Sequence, residues 1–203
     1  MSELLFNELP RPTFRWLRVN HTVSSLAGED TAVQSIAVEA NKDILSPLPV
    51  GTALLDGNYE GANKEAVHVL VEKAEGYAIN VPPKAKEVVG IRIDANARVA
   101  NRFQFIVGEG AELEVQFYVT GSGDALTNVS YLNEYDVKEA GKVVVKKVNL
   151  LPEHVQHIEH RYTKLEEKAD VEYINIEIGG SENILNYYHD LVGQESRMRS
   201  EEH

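Results

Sequence analysis

The chain has 203 residues, enough to bury a substantial core in one domain, and its 32 acidic against 20 basic residues give a formal charge of −12. That charge repels nucleic acid phosphates and anionic lipid head groups, so no nucleic acid and no membrane surface is expected as a partner. The absence of cysteine excludes disulfides, a thiolate nucleophile and any metal site built on the chain's own thiolates.

No run approaches the ~18 apolar residues of a membrane helix, and the opening MSELLFNELPRP lacks the basic and apolar regions of a signal peptide, so a cytoplasmic location is expected. Residues 1–45 read as a mixed N-terminal arm, broken at Pro10 and Pro12, with Trp16 anchoring it alongside Phe14 and Leu17. Residues 46–63, SPLPVGTALLDGNYEGAN, form a Pro- and Gly-rich boundary loop. The core is expected over 46–203. Its first element is a strand in which Val67, Val69 and Val71 keep a period of two and His68 faces outward.

From residue 88 to 178 short strands follow one another: VVGIRID, RFQFIVG, LEVQFYV, NVSYLNEYDV, VVVKKVNLL and VEYINIEIG. Similar turns introduce three of them, GEGAEL at 108–113, KEAGKV at 138–143 and EEKADV at 166–171. Leu113, Val143 and Val171 are thereby spaced 30 and then 28 residues apart, as in successive rungs of a solenoid. An antiparallel sandwich with irregular turns is the alternative. A solenoid with an uncapped end exposes an edge, which favours burial against a second copy as a homodimer.

The stretch EHVQHIEH places His154, His157 and His160 within seven positions. On a helix they would share an arc of about 120° and could begin a metal site. On a strand His154 and His160 share one face, about 20 Å apart, and His157 takes the other, which dissolves the triad. The His-x-x-His spacing of His157 and His160 departs from the His-x-His of cupin metal sites. A cupin-like or other β-domain enzyme holding a divalent metal on His154, His157 and His160 is therefore the second functional reading. GEGAEL and GSGDAL lack the lysine and hydroxyl residue of a phosphate-binding loop, and Gly121, Gly123 and Asp124 read as a hairpin or rung corner. No G-x-S-x-G elbow is present, and Glu166 and Glu167 fall in a charged turn, so no catalytic acid, base or nucleophile is assigned.

Two segments, INVPPKAKEVVGIRI and FQFIVGEGAELEVQFYVTGSGDALTNVSYLNEYDVKEAGKVVVKKVNLLPEHVQHIEH, resemble the SufB/SufD family, and LPRPTFRWLRVN is similar to its short members. The resemblance implies an all-β fold, a right-handed parallel β-helix with a mixed N-terminal arm. It also implies a non-catalytic scaffold subunit of iron–sulfur cluster assembly. The implied partners are a SufC-like ABC ATPase and a SufB-like subunit or a second copy of the chain. The family's cluster-associated cysteine and glutamate, its functional histidine and its ATPase-docking helices lie beyond the end of this chain, so a truncated form is expected and none of those residues is carried over. Lacking cysteine, the chain is SufD-like: it holds no cofactor alone, and an iron–sulfur cluster could form on it only with ligands from a partner.

Overall fold

A computed structural model of the chain describes residues 3–6, 22–25, 36–55, 59, 63–122 and 127–203. Trp16, Phe14, Leu17, Pro10, Pro12, Gly123 and Asp124 lie outside them. In the N-terminal part β1 (Glu3–Phe6) and β2 (Thr22–Ser25) form an antiparallel pair. They are followed by β3 (Ile36–Glu39), β4 (Leu45–Leu48) and one helix, α1 (Lys64–Lys73).

Helix α1 corrects the strand expected there. Val67, Val69 and Val71 have a period of two, but the residues that bury are Ala66, Val67, Leu70 and Val71, which recur at helical spacing. Glu65 in the first turn and Lys73 in the last oppose the helix dipole. His68 is exposed, on the solvent side of the helix.

From Gly76 onward the chain alternates between two sheets. Sheet II holds β5 (Gly76–Val81), β7 (Val99–Val107), β9 (Thr127–Val137), β11 (Val155–Leu165) and β13 (Glu182–Leu191), with β4 added antiparallel beside β5. Sheet I holds β6 (Lys86–Asp94), β8 (Glu112–Thr120), β10 (Lys142–Asn149), β12 (Asp170–Glu177) and β14 (Arg197–Glu202), with β3 antiparallel beside β6. All other neighbours are parallel, so each turn of chain lays one strand in each sheet and stacks on the turn before it. This is a parallel β-helix. Leu113, Val143 and Val171 are register partners, so the 30- and 28-residue spacing is the rung repeat itself. The parallel pairing excludes the antiparallel sandwich, and the cupin-like barrel falls with it.

The turns from sheet II to sheet I repeat one backbone geometry. Lys84, Gly110, Ala140, Lys168 and Glu195 all have φ between 55 and 62°, in the left-handed region. The amides of Lys84, Gly110, Ala140 and Lys168 each donate to the carbonyl one turn on, at Glu109, Glu139, Glu167 and Gln194, over 2.8–2.9 Å. The corners are thus hydrogen-bonded as a ladder of their own. Four of the five are not glycine, and each accepts a local cost of about 1 kcal/mol that the ladder offsets.

The space between the sheets is the core. In its first turns it is apolar apart from Asn101 of β7: Ile79, Val89, Ile91, Phe103, Phe105, Val115 and Phe117 are fully buried or nearly so. Phe105 stacks on Tyr135 of the next turn with ring centroids 4.6 Å apart. The outer face of sheet II is covered as well. Val67, Leu70 and Val71 of α1 pack with Tyr59 on Ala100, Leu132 and Tyr162, and Phe6 packs with Ala66, Ile158 and Ile184. Beneath α1 lies a buried ion pair, Arg102 with Glu134. Arg102 Nη1 donates to the Val71 carbonyl in the last turn of α1 (3.1 Å), and Glu134 accepts from Tyr59 OH, the Leu54 amide and Gln104 Nε2. One ion pair therefore holds the helix, the loop before it and sheet II together.

Candidate functional site

Halfway along the solenoid the interior changes character, row by row. Phe117 is followed at the same register by Lys147 and then Asn175; Val119 by Asn149 and Glu177; Val129 by His157 and Asn183; Tyr131 by Glu159; Phe103 by Asn133, Arg161 and Tyr187. Because β9 and β11 are buried on both faces, their burial is nearly continuous and the inward row cannot be seen as alternation.

These inward side chains meet across the two sheets. Glu159 accepts from Lys147 Nζ, from Arg161 Nη2 (2.7 Å) and from Asn133 Nδ2 (3.0 Å). Lys147 also pairs with Glu177, whose other oxygen accepts from Asn149 Nδ2 (2.8 Å). His157 Nε2 lies 2.9 Å from Tyr131 OH, and its Nδ1 is 3.1 Å from both Asn149 and Asn183. The Arg161 guanidinium is held between the rings of Tyr173 and Tyr187, 4.1 Å from each centroid. Lys147, Glu159, Arg161 and His157 are all at or below 1 % exposure, so the network is screened from water.

Electrostatics follow from that burial. Burial alone would raise the Glu159 carboxyl, but Arg161 and then Lys147 hold it well below the usual carboxylate range. Burial pushes His157 down to about 3, with Lys147 adding to the effect, so its imidazole is neutral. Tyr131 is raised by burial and by Glu159, and Tyr173 by burial to about 12, so both are phenols that donate and do not ionise. Two cations face two carboxylates around a neutral histidine. Such a set can fix polar groups and orient protons, but it presents no activated nucleophile.

The three histidines of EHVQHIEH separate. His154 sits in the turn before β11; His157 points between the sheets; His160 points to the outer face of sheet II, stacked on Phe6 with ring centroids 6.2 Å apart. Burial lowers His160 to about 4, and neither of its ring nitrogens has a hydrogen-bond partner among the described residues. Among those residues no group of three or more histidine, aspartate and glutamate side chains is placed to hold a metal ion. Lys147, Glu159, Arg161 and Glu177 were not singled out from the sequence. The signal was present: carrying the Leu113, Val143, Val171 register four residues onward puts Lys147 and Asn175 in the row of Phe117.

The turns that carry this network coincide with a known domain. A family model described as SUF system FeS cluster assembly, SufBD core domain, matches residues 91–202, over half of the chain. The chain belongs to the SufB/SufD family. The match runs from β6 to β14 and so includes both the apolar and the charged turns of the SufBD core. It ties the chain to iron–sulfur cluster assembly. No curated protein and no solved structure matches this SufB/SufD-family chain.

Proposed function

We propose that this SufB/SufD-family chain is a non-catalytic, cytoplasmic scaffold subunit of iron–sulfur cluster assembly that docks a SufC-like ABC ATPase and a second β-helix. The observation that carries the reading is the SufBD core match lying over the stacked turns themselves. The internal network supports it, because a buried, charge-balanced set suits a rigid support more than a reaction centre. The two ends of the solenoid differ in a way that supports it too. At one end the short β3 and β4, with Pro47 in β4, terminate the sheets, a device that discourages further pairing. At the other end β13 and β14, ten and six residues long, are the outermost strands of the described residues, and neither carries a proline. The cluster is cargo, and with no thiolate on this chain its sulfur ligands come from the partner.

Calorimetric titration of the chain with the SufC-like ATPase of the same organism, with and without ATP, tests the reading. Binding whose affinity changes with ATP is the expected result. No binding in either state removes the ATPase from the partners of this chain.

A further inference from the structure

Unlike sheet II, sheet I has an outer face on which no described element packs. One position on that face is bare. Gly90 lies in the middle of β6, and its register partners on the following turns are Gln116, Lys146 and Ile174, so a place filled by a long side chain on those rungs is empty here. Nothing in the backbone requires the glycine. Its φ lies outside the left-handed region, β6 runs beside β3 and β8 without a bulge, and an added Cβ would meet nothing nearer than the Glu39 side chain at 3.6 Å, an ordinary contact. A glycine inside a regular strand, with neither a bulge nor a tightly packed neighbour to account for it, marks a place where something else approaches the sheet. The bare position opens into a trough of about 490 Å³, within the size range of small-molecule sites.

We propose that this trough binds a small planar anion, a flat aromatic ring that carries a carboxylate, sulfonate or phosphate. The ring lies on the bare backbone of β6 at Gly90, and Tyr118 of β8, 43 % exposed, and Val148 of β10 supply the apolar wall beside it. The charge falls to Arg92 on β6 and Lys146 on β10, which border the trough on either side of β8. Against these two cations a single carboxylate, Glu39, lines the trough, the reverse of the balance in a chain with 32 acidic and 20 basic residues. An anion is therefore repelled less here than over the rest of the surface. Both cations are loosely engaged. Arg92 Nε lies 3.8 Å from Glu39, with both side chains more than two-thirds exposed, and Lys146 Nζ lies 2.9 Å from Glu114, with its side chain 48 % exposed. Exposed pairs of this kind contribute little and exchange readily for the anion of a ligand. A ring seated on Gly90 shields the new contact from water, which strengthens it. The trough lies on the opposite face of sheet I from the internal network and away from the β13 and β14 edges, so the inference does not rest on the assembly role.

Fluorescence titration of the full chain with anilinonaphthalene sulfonate, a planar aromatic anion, tests the proposal. One saturable site per chain is expected. Gly90→Gln, which puts the side chain of the next rung into the trough, and Lys146→Glu are each expected to weaken binding about tenfold or more. Val88→Gln changes the outward neighbour of Gly90 outside the trough and is expected to leave binding unchanged. Naphthoate, which keeps the ring and the charge, is expected to displace the probe, whereas acetate at the same concentration, which keeps the charge alone, is not. The probe also binds partly unfolded chains, so the urea midpoint of each variant is measured alongside. Lys146→Glu, an exposed substitution, keeps the test decisive if Gly90→Gln loosens the sheet. A wild type without saturable binding overturns the proposal. So does binding that a folded Gly90→Gln or Lys146→Glu leaves unchanged, that Val88→Gln weakens equally, or from which acetate displaces the probe as well as naphthoate does.

Discussion

Acid should destabilise this protein through histidines that burial keeps neutral, and His160 isolates the effect. Burial lowers His157 to about 3 and His160 to about 4, from 6.5 in the unfolded chain. Below pH 6.5 the unfolded chain takes up a proton at each imidazole, while the folded chain holds both neutral down to about pH 4. Their stabilising contribution is therefore complete above pH 6.5 and is lost as pH falls toward the folded values. Each pH unit in that window costs about 1.4 kcal/mol per group, so at pH 5 each histidine has cost about 2 kcal/mol and the pair about 4. Both side chains are fully buried, so solvent screening does not reduce these values. His160→Leu removes one titration and two nitrogens that have no partner among the described residues. Urea denaturation at pH 7 and pH 5 should show the variant at least as stable as wild type at pH 7. Its loss on moving to pH 5 should be about 2 kcal/mol smaller. Equal losses in the two proteins would refute the reasoning.

Glu159→Gln leaves Lys147 and Arg161 buried with a single carboxylate between them, and should cost about 3–5 kcal/mol in urea denaturation. Adding Lys147→Met to it should recover part of that loss, seen as a favourable coupling in a double-mutant cycle. Arg102→Met removes one donor from the Val71 carbonyl and leaves the buried Glu134 carboxylate without its cation, and should expose helix α1 to limited proteolysis well below the global unfolding midpoint. Ala140→Gly, at φ 55°, should raise the denaturation midpoint by the equivalent of about 1 kcal/mol. Gly76→Ala should lower it by about 1–3 kcal/mol, because a Cβ there would lie 1.9 Å from the Arg102 carbonyl oxygen.

The rung repeat was legible because its corner turns are similar in sequence and its strands are nearly equal in length. Leu113, Val143 and Val171 needed only counting. Helix α1 was not legible as a helix, since KEAVHVLVEK satisfies both periods, and only the packing of Ala66, Val67, Leu70 and Val71 on sheet II decides between them. The internal network was hidden for a different reason. Lys147, Glu159 and Arg161 are residue types that normally mark a solvent face, and only their register with Phe117, Tyr131 and Phe103 reveals that they point inward. His157 was noticed for its neighbours in sequence, whereas its place is set by Tyr131 and Asn183, each 26 residues away.

The two sides of the solenoid differ in how much length they absorb. Connections from sheet II to sheet I occupy 82–85, 108–111, 138–141 and 166–169, always four residues, and five at 192–196. Those that return to sheet II occupy 95–98, 121–126, 150–154 and 178–181, between four and six. One side is a spine of near-constant pitch, fixed by its bonded left-handed corners; the other is a lip. Insertions in such a molecule are accommodated at the lip without shifting any strand out of register. Complete turns of about 28 residues can be gained or lost between spine corners, so descendants can differ in the number of turns while each surviving turn keeps its neighbours.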